Sequence, residues 1–348
     1  MRRVGSCRRR ARLLGLPCLI AFALFPAVAQ QAAKSPDAPK QLPDIQQMLS
    51  RGQLKEAEAK LNALAQEHPE PPGTERLLGT IYYQRNDFAA ADAAFQRAIA
   101  QDHDDLESVQ MRGVTLYRMG KAAEAIPLLE RSNTTVAAVN SDSTYVLAVC
   151  YMDVRRYDDA RRIFAKQYKL PPGSAGAYLF LARMLLRRNY PAESAQMAEK
   201  ALVLDPHLPL AHFLLGQIAL AKSQGAEAVT QFEAERNINP MDGEVYERLG
   251  DSYMQTSRLE EAQQALDCAV LLEPNATGPY ILLGQVLLKR EDPATALNYL
   301  VRAEKMDPGN HLTHLLLGQA YRAAGRKEDA TREYKTAEAL QNTGGEQN

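Results

Sequence analysis

"HLLLGQAYRAAGRKEDA" runs from His314 to Ala330, and the chain carries close variants of this stretch upstream. Thirty-four residues earlier stands "YILLGQVLLKREDPATA", from Tyr280 to Ala296, and 34 before that "YERLGDSYMQTSRLEEA", from Tyr246 to Ala262. The three share a ring, then Leu-Gly, then an alanine twelve residues after the glycine. Self-similarity at a fixed period indicates a repeat array, in which the period rather than the length sets the organisation.

The 34-residue register extends over almost the whole chain and leaves only Asn140 outside it. The repeats are 38–71, 72–105, 106–139, 141–174, 175–208, 209–242, 243–276, 277–310 and 311–344. The eighth place of the repeats is mostly small: Ile45, Gly79, Gly113, Ala148, Ala182, Gly216, Gly250, Gly284 and Gly318. The twentieth place is small throughout: Ala57, Ala91, Ala125, Ala160, Ser194, Ala228, Ala262, Ala296 and Ala330.

Each repeat predicts two amphipathic helices. Leu249 and Tyr253, four residues apart, place apolar side chains on one face of a first helix, and Ala262 and Leu266 do so in the second. A glycine inside a helix costs about 1 kcal/mol relative to alanine, so a recurring glycine needs a packing reason. Close approach of the two helices supplies it. A proline near the end of most repeats, such as Pro308, stops the second helix.

The order Leu-Gly-x-x-Tyr, Ala-x-x-x-Phe and Pro at a period of 34 resembles the tetratricopeptide repeat, over about nine repeats in residues 42–344. The tryptophan usual in that pattern is absent, and its place is taken by Tyr178, His212, Tyr246, Tyr280 and His314. The resemblance implies an all-α fold, a right-handed α-solenoid of antiparallel helix pairs. Its concave face would be lined by the first helix of each repeat.

One repeat departs from the pattern. In 106–139 the stretch "SNTTVAAVN" (132–140) replaces the usual helix ending, which predicts a shortened second helix, a longer loop and a kink or hinge. The first repeat is interpreted as a degenerate cap, and residues 345–348 as a disordered tail.

The N-terminal residues differ in kind from the repeats. Six arginines precede an uncharged stretch from Leu13 to Val28, and Ala27-Val28-Ala29 forms a small-x-small cleavage pattern, so residues 1–29 are interpreted as a secretory signal peptide. An uncleaved membrane anchor is the alternative. Residues 30–41, rich in Ala, Gln and Pro, are expected to be a flexible linker. The protein is therefore expected in the bacterial periplasm or cell envelope, without membrane insertion after cleavage.

The remaining composition argues against several classes of function. Six of the 41 basic residues and none of the 42 acidic ones lie in the signal segment, so the cleaved chain has a formal net charge of −7, which disfavours nucleic-acid binding. No phosphate-binding loop, nucleophile elbow or metalloprotease motif occurs, and no cofactor is expected. His311 and His314 could touch one metal, but His314 occupies a packing place, so no metal site is predicted. Cys150 and Cys268 are interpreted as small buried hydrophobes.

The family resemblance implies a binding groove lined by places 2, 5, 9, 12 and 13 of the repeats. The predicted groove residues are Tyr83, Tyr117, Tyr145, Met152, Arg183, Phe213, Gln217, Asp251, Met254, Gln285 and Gln319. Exposed apolar surface of this kind indicates an interaction site. The polar residues, one per repeat at the ninth place, could hydrogen-bond a peptide backbone. Alternatively, the apolar side chains pack against the adjacent repeat and meet no ligand.

These patterns predict a non-catalytic protein–protein interaction scaffold that binds a peptide or helix of unidentified sequence in the groove. An accessory factor for the assembly or secretion of envelope complexes is one alternative. A cryptic enzyme or metal-binding protein is the alternative from another class. The places that match the family's clamp for chaperone tails hold no Lys–Asn pair, so such a tail is not the expected partner.

Overall fold

The computed structural model describes residues 41–66, 70–133 and 141–344, and within these ranges all regular structure is α-helical, which confirms the predicted fold class. The helices are α1 (Gln41–Ser50), α2 (Leu54–Leu64), α3 (Thr74–Gln84), α4 (Phe88–Gln101), α5 (Leu106–Arg118), α6 (Ala122–Ser132), α7 (Ser141–Asp153), α8 (Tyr157–Gln167), α9 (Ala175–Arg187), α10 (Pro191–Leu204), α11 (Ala211–Ala221), α12 (Gly225–Ile238), α13 (Gly243–Gln255), α14 (Leu259–Leu272), α15 (Thr277–Lys289), α16 (Pro293–Met306), α17 (His311–Ala323) and α18 (Lys327–Gly344). The predicted signal peptide, tail and all of the linker except Gln41 lie outside the described residues. No helix in these ranges is both long enough and apolar enough to span a bilayer.

The helices belong to two compact segments, called here the N-terminal segment (up to Met119, α1–α5) and the C-terminal segment (from Gly120, α6–α18). In the C-terminal segment α7 to α18 form successive helix pairs, and the second helix of each pair also packs on the first helix of the next. The second helix of repeat 106–139, α6, has 11 residues, against 14 in α4, α10, α12, α14 and α16, so it is shortened as predicted; α2 and α8 have the same shorter length, so the shortening is not particular to this repeat. The predicted loop after it lies largely outside the described residues, and the hinge stays a prediction.

The recurring glycine lies directly against a large side chain of the second helix of its pair. A Cβ atom on Gly250 would lie 2.4 Å from Leu266, and one on Gly284 would lie 2.4 Å from Leu300. These distances are far inside van der Waals contact, so the predicted steric reason for the glycine is confirmed. In repeat 175–208 both members of this contact are different.

In repeat 175–208 the glycine is replaced by Ala182, and the facing bulky residue by Ala198. Both alanines are fully buried. Ser194 adds a buried hydrogen bond between the helices, because its hydroxyl donates to the carbonyl oxygen of Ala182 at 2.7 Å. The smaller side chain on the second helix thus leaves room for the methyl group on the first.

A left-handed residue at the fifteenth place makes the turn between the two helices of each pair. The residues with positive φ at this place are Gly52, Asn86, Gly120, Arg155, Asn189, Ser223, Ser257, Glu291 and Gly325. Around Glu291, the Asp292 N–H bonds the carbonyl of Leu287 at 2.9 Å and the Glu291 N–H bonds that of Leu288 at 3.1 Å. This is the Schellman pattern that ends many helices. Sequence reasoning missed it because five residue types occupy the place.

Candidate partner-binding face

The ninth-place side chains remain accessible on successive first helices of the C-terminal segment. We call Arg183 on α9, Gln217 on α11, Asp251 on α13, Gln285 on α15 and Gln319 on α17 the ninth-place ladder. Arg183 is exposed and the other four side chains are half-buried. Helices α11 and α13, α13 and α15, and α15 and α17 lie side by side, so the last four members occupy one continuous surface. Amide and carboxylate groups in this arrangement can bond the N–H and C=O groups of an extended chain.

Phe213 and Met254 border this ladder and are half-buried against the core. The ring of Phe213 packs edge-on to that of Phe232, with centroids 5.6 Å apart. Fully buried Glu235 on α12 orders the start of α11, because its carboxylate accepts from the backbone N–H of Leu210 at 2.8 Å and of Phe213 at 3.2 Å. Phe213 is therefore held rigidly, with part of its ring at the surface and part in the core.

Helix α7 fits the prediction only in part. Tyr145 is 37% exposed, and its ring lies 6.0 Å from that of buried Phe164. Met152, in contrast, is fully buried, so its prediction as a groove residue is wrong. Every residue from Leu147 to Met152 is buried, and a helix that is apolar on all sides has no face left for solvent.

Tyr83 and Tyr117 belong to the N-terminal segment and are both half-buried. Tyr83 makes an edge contact with Phe88 at 5.6 Å between ring centroids. The guanidinium of Arg118 lies over both rings, 4.8 Å from the centroid of Phe88 and 6.0 Å from that of Tyr83. This cation–π stack stabilises α5 against α3 and α4. Tyr83 therefore packs within its own segment and exposes only part of its ring.

Charge is distributed unevenly along the face. On α13, burial raises the pKa of Glu247, and the like charges of Glu244, Glu273 and Asp251 add to the rise. Burial likewise raises the pKa of Asp251. The positive charge of Arg248 opposes both rises in pKa, although no basic nitrogen in the described part of the chain lies within ion-pair distance of either carboxylate. Exposed Arg183 and Arg187 on α9 give the other end of the face a positive charge.

The two cysteines of the described ranges and His212 lie in packing positions or pair with a neighbouring side chain. Cys150 is buried, and burial raises the pKa of its thiol to about 12, so the thiol stays protonated. Cys268 is only half-buried, which corrects its interpretation as a buried hydrophobe. His212 bonds Gln231 through Nδ1 at 2.7 Å and lines an open depression of about 530 Å³ between α10, α11 and α12. By helix periodicity this depression lies on the opposite side of α11 from Gln217.

Comparison with known proteins agrees with the repeat pattern. A tetratricopeptide repeat model matches residues 145–209, 213–277 and 281–344, a second one matches 48–111, and a model of anaphase-promoting complex (cyclosome) subunit 3 matches 90–167. Anaphase-promoting complex subunit 3 of Schizosaccharomyces pombe is 20% identical over 83% of this chain and 44% of its own length. The Hsp70-Hsp90 organizing protein of Triticum aestivum is 21% identical over 68% of this chain and 41% of its own. The chain thus spans less than half the length of these relatives.

Among solved structures, YrrB, described as a TPR protein with an unusual peptide-binding site, is 23% identical. The similarity covers 53% of this chain and 93% of that one, with a TM-score of 0.46. Since tetratricopeptide models match more than half of its residues, the chain belongs to the tetratricopeptide repeat family, whose members are protein-interaction scaffolds.

Proposed function

We propose that this protein is a non-catalytic scaffold that binds an extended segment of a partner protein along the first-helix face of its C-terminal segment. The observation that carries the proposal is the ninth-place ladder, which keeps one accessible polar side chain per first helix on α9 to α17. A hydrogen-bonding side chain at each step is suited to a peptide backbone, which repeats its own polar groups. Half-buried Phe213 and Met254 beside it supply apolar contact, and aromatic anchors carry much of an interface's energy.

The charge distribution specifies an orientation for the bound segment. Arg183 and Arg187 favour an acidic side chain near α9, whereas Glu247 and Asp251 favour a basic one near α13. The two carboxylates hold charge in a partly desolvated place where Arg248 offsets it only in part, and a basic residue of the ligand would offset the rest. Complementary charge fixes the register of a bound chain more than it adds affinity.

Peptides selected from a random display library test this proposal, with affinities measured by fluorescence anisotropy. Asp251→Lys and Arg183→Glu should each weaken binding at least tenfold. Glu338→Lys on α18 and Lys200→Glu on α10, exposed charge reversals off the face, should leave it unchanged. Selected peptides should carry their acidic and basic residues in one fixed order, and exchanging the two should weaken binding. Equal effects of on-face and off-face reversals would place the binding site elsewhere.

We also propose that the array has nine repeats and that the protein is exported to the periplasm or envelope. The repeat count is supported by the left-handed residue at the fifteenth place of each repeat, from Gly52 to Gly325. Export is supported by the arginine-rich head, the apolar stretch and the Ala27-Val28-Ala29 pattern. Mass spectrometry of the native protein should find a mature N-terminus at or near Gln30. Membrane-bound protein that retains Met1 would establish the anchor instead.

A further inference from the structure

The imidazole of His314, in the last helix pair, contacts a hydrogen-bond acceptor at each ring nitrogen. His314 is only 5% exposed on α17. Its Nε2 lies 2.9 Å from the carbonyl oxygen of Pro308, and its Nδ1 lies 2.8 Å from a carboxylate oxygen of Glu333 on α18. A carbonyl oxygen can only accept, so the proton of that contact belongs to Nε2.

Two preceding repeats independently support this position of the proton. Tyr246 and Tyr280 occupy the same fourth place as His314, and their hydroxyls donate to the carbonyls of Pro240 and Pro274, each at 3.2 Å. The fourth-place side chain therefore serves as a donor to the proline that ends the preceding repeat. His314 fulfils this role through Nε2–H, which leaves Nδ1 of the neutral ring with a lone pair directed at Glu333.

A lone pair that faces a carboxylate requires a positive charge between them. Glu304 on α16 brings a second carboxylate, and the ligand atoms of Glu304, His314 and Glu333 all lie within 4.8 Å of one another. The carboxylate of Glu304 makes no ion pair or hydrogen bond within the described residues. One proton on the ring would balance only one of the two carboxylates. Arg332 approaches Glu333 no closer than 3.7 Å and is itself paired with Asp329 at 2.7 Å.

We propose that Glu304, His314 and Glu333 form a binding site for a divalent transition-metal ion of the zinc type. One imidazole nitrogen and two carboxylate oxygens are ligands that zinc accepts, with water completing the coordination. A ligating histidine characteristically donates its other ring N–H to a carbonyl or carboxylate, as Nε2 does here to Pro308. The ion would join α16, α17 and α18, and so fix the last helix pair to the one before it.

Another repeat of the chain contains a histidine at the same place that faces a neutral side chain instead of a carboxylate. His212 also occupies a fourth place, but the residue that faces its Nδ1 is the neutral amide of Gln231, at 2.7 Å. Gln231 and Glu333 occupy the same twenty-third place of their repeats. Glu333→Gln therefore copies a histidine–glutamine pair with which this fold already forms, and the variant is expected to fold.

Isothermal titration of the full-length protein with zinc chloride after chelator dialysis tests the proposal. At pH 7.5 the wild type should show one site of micromolar or tighter affinity. Glu304→Gln and Glu333→Gln should each weaken it at least tenfold. His311→Gln, which alters the neighbouring histidine, should retain it. Because metal and proton compete for Nδ1, the affinity should fall when the titration is repeated at pH 5.5.

A thermal melt distinguishes the metal from a simple ion pair. Saturating zinc should raise the melting temperature of the wild type and leave that of Glu304→Gln unchanged, while circular dichroism shows both metal-free proteins equally folded. No zinc binding by the wild type at 100 µM would overturn the proposal and assign the positive charge beside Glu333 to a protonated His314. Equal affinity in wild type and both glutamine variants would overturn it as well, as would loss of the site in His311→Gln.

Discussion

Gly284→Ala should destabilise the protein, although alanine is the better helix former. An exposed helical glycine replaced by alanine gains about 1 kcal/mol. At Gly284 the new Cβ would lie 2.4 Å from Cγ and Cδ2 of Leu300, and Leu300 is fully buried and cannot swing into solvent. Overpacking of this kind costs about 1–3 kcal/mol. The net change expected is therefore a loss of between zero and about 2 kcal/mol.

Gly176→Ala is the matched control. Gly176 lies in α9 with its nearest neighbour, the Ser174 hydroxyl, 4.0 Å from the added Cβ, so only the propensity gain should appear. The difference between the two variants isolates the steric term of about 1–3 kcal/mol. Guanidinium denaturation followed by far-UV circular dichroism measures both. Hydrogen exchange at α15 and α16 localises the loss, because repeat arrays can unfold piecewise.

In a protein that already carries Leu300→Ala, the effect of Gly284→Ala on stability should change sign. That single change empties a buried site and should cost about 2–5 kcal/mol. Adding Gly284→Ala then recreates the Ala182–Ala198 pairing of repeat 175–208, so the alanine should stabilise where it destabilised before. The double-mutant cycle would show coupling of at least about 1 kcal/mol. If Gly284→Ala shifts the midpoint equally in both backgrounds, the glycine is not there for close helix packing.

Three further outcomes are expected. Glu291→Gly, at a left-handed residue with φ of 61°, should raise the free energy of unfolding by about 1 kcal/mol, whereas Glu291→Ala should not, as paired denaturant melts would show. Phe213→Ala should cost clearly less stability than the 3–5 kcal/mol expected for buried Phe164→Ala, yet weaken binding of selected peptides more; equal losses of stability would assign Phe213 to the core. Glu247→Gln should stabilise the protein at pH 7.5. Folding raises the pKa of this carboxyl, so its ionisation destabilises the folded protein as the pH rises above the pKa of the unfolded chain. The gain should vanish at about pH 4, and a gain that persists there would have another cause.

Sequence reasoning succeeded at places of the repeat where packing admits only a small residue. The eighth-place glycines and the small twentieth place report a contact within a single helix pair, and the pattern therefore predicted both the helices and their close approach. Met152 was misassigned because the family's groove positions apply to a first helix that keeps one face exposed to solvent. Helix α7 has none between Leu147 and Met152.

The charged contacts were missed for a different reason. His314 and Glu333 meet across a helix pair, 19 residues apart, and Glu304 comes from the preceding repeat. Acidic residues occur throughout the surfaces of this chain, so no residue pattern separates these two from the rest. Comparing the twenty-third place between repeats, where Glu333 replaces Gln231, is the one signal that could have found the pair.

The glycine and its bulky counterpart have a consequence for how such a chain can change length. Both partners of each tight contact lie within one repeat, as Gly250 with Leu266 and Gly284 with Leu300. A duplication or deletion of one whole 34-residue period therefore carries the complementary shapes together and leaves no mismatch within a helix pair. A substitution at one partner alone has to be accommodated by the surrounding side chains, as with Ala148 opposite Phe164, whereas entire repeats can be gained or lost in a single genetic event.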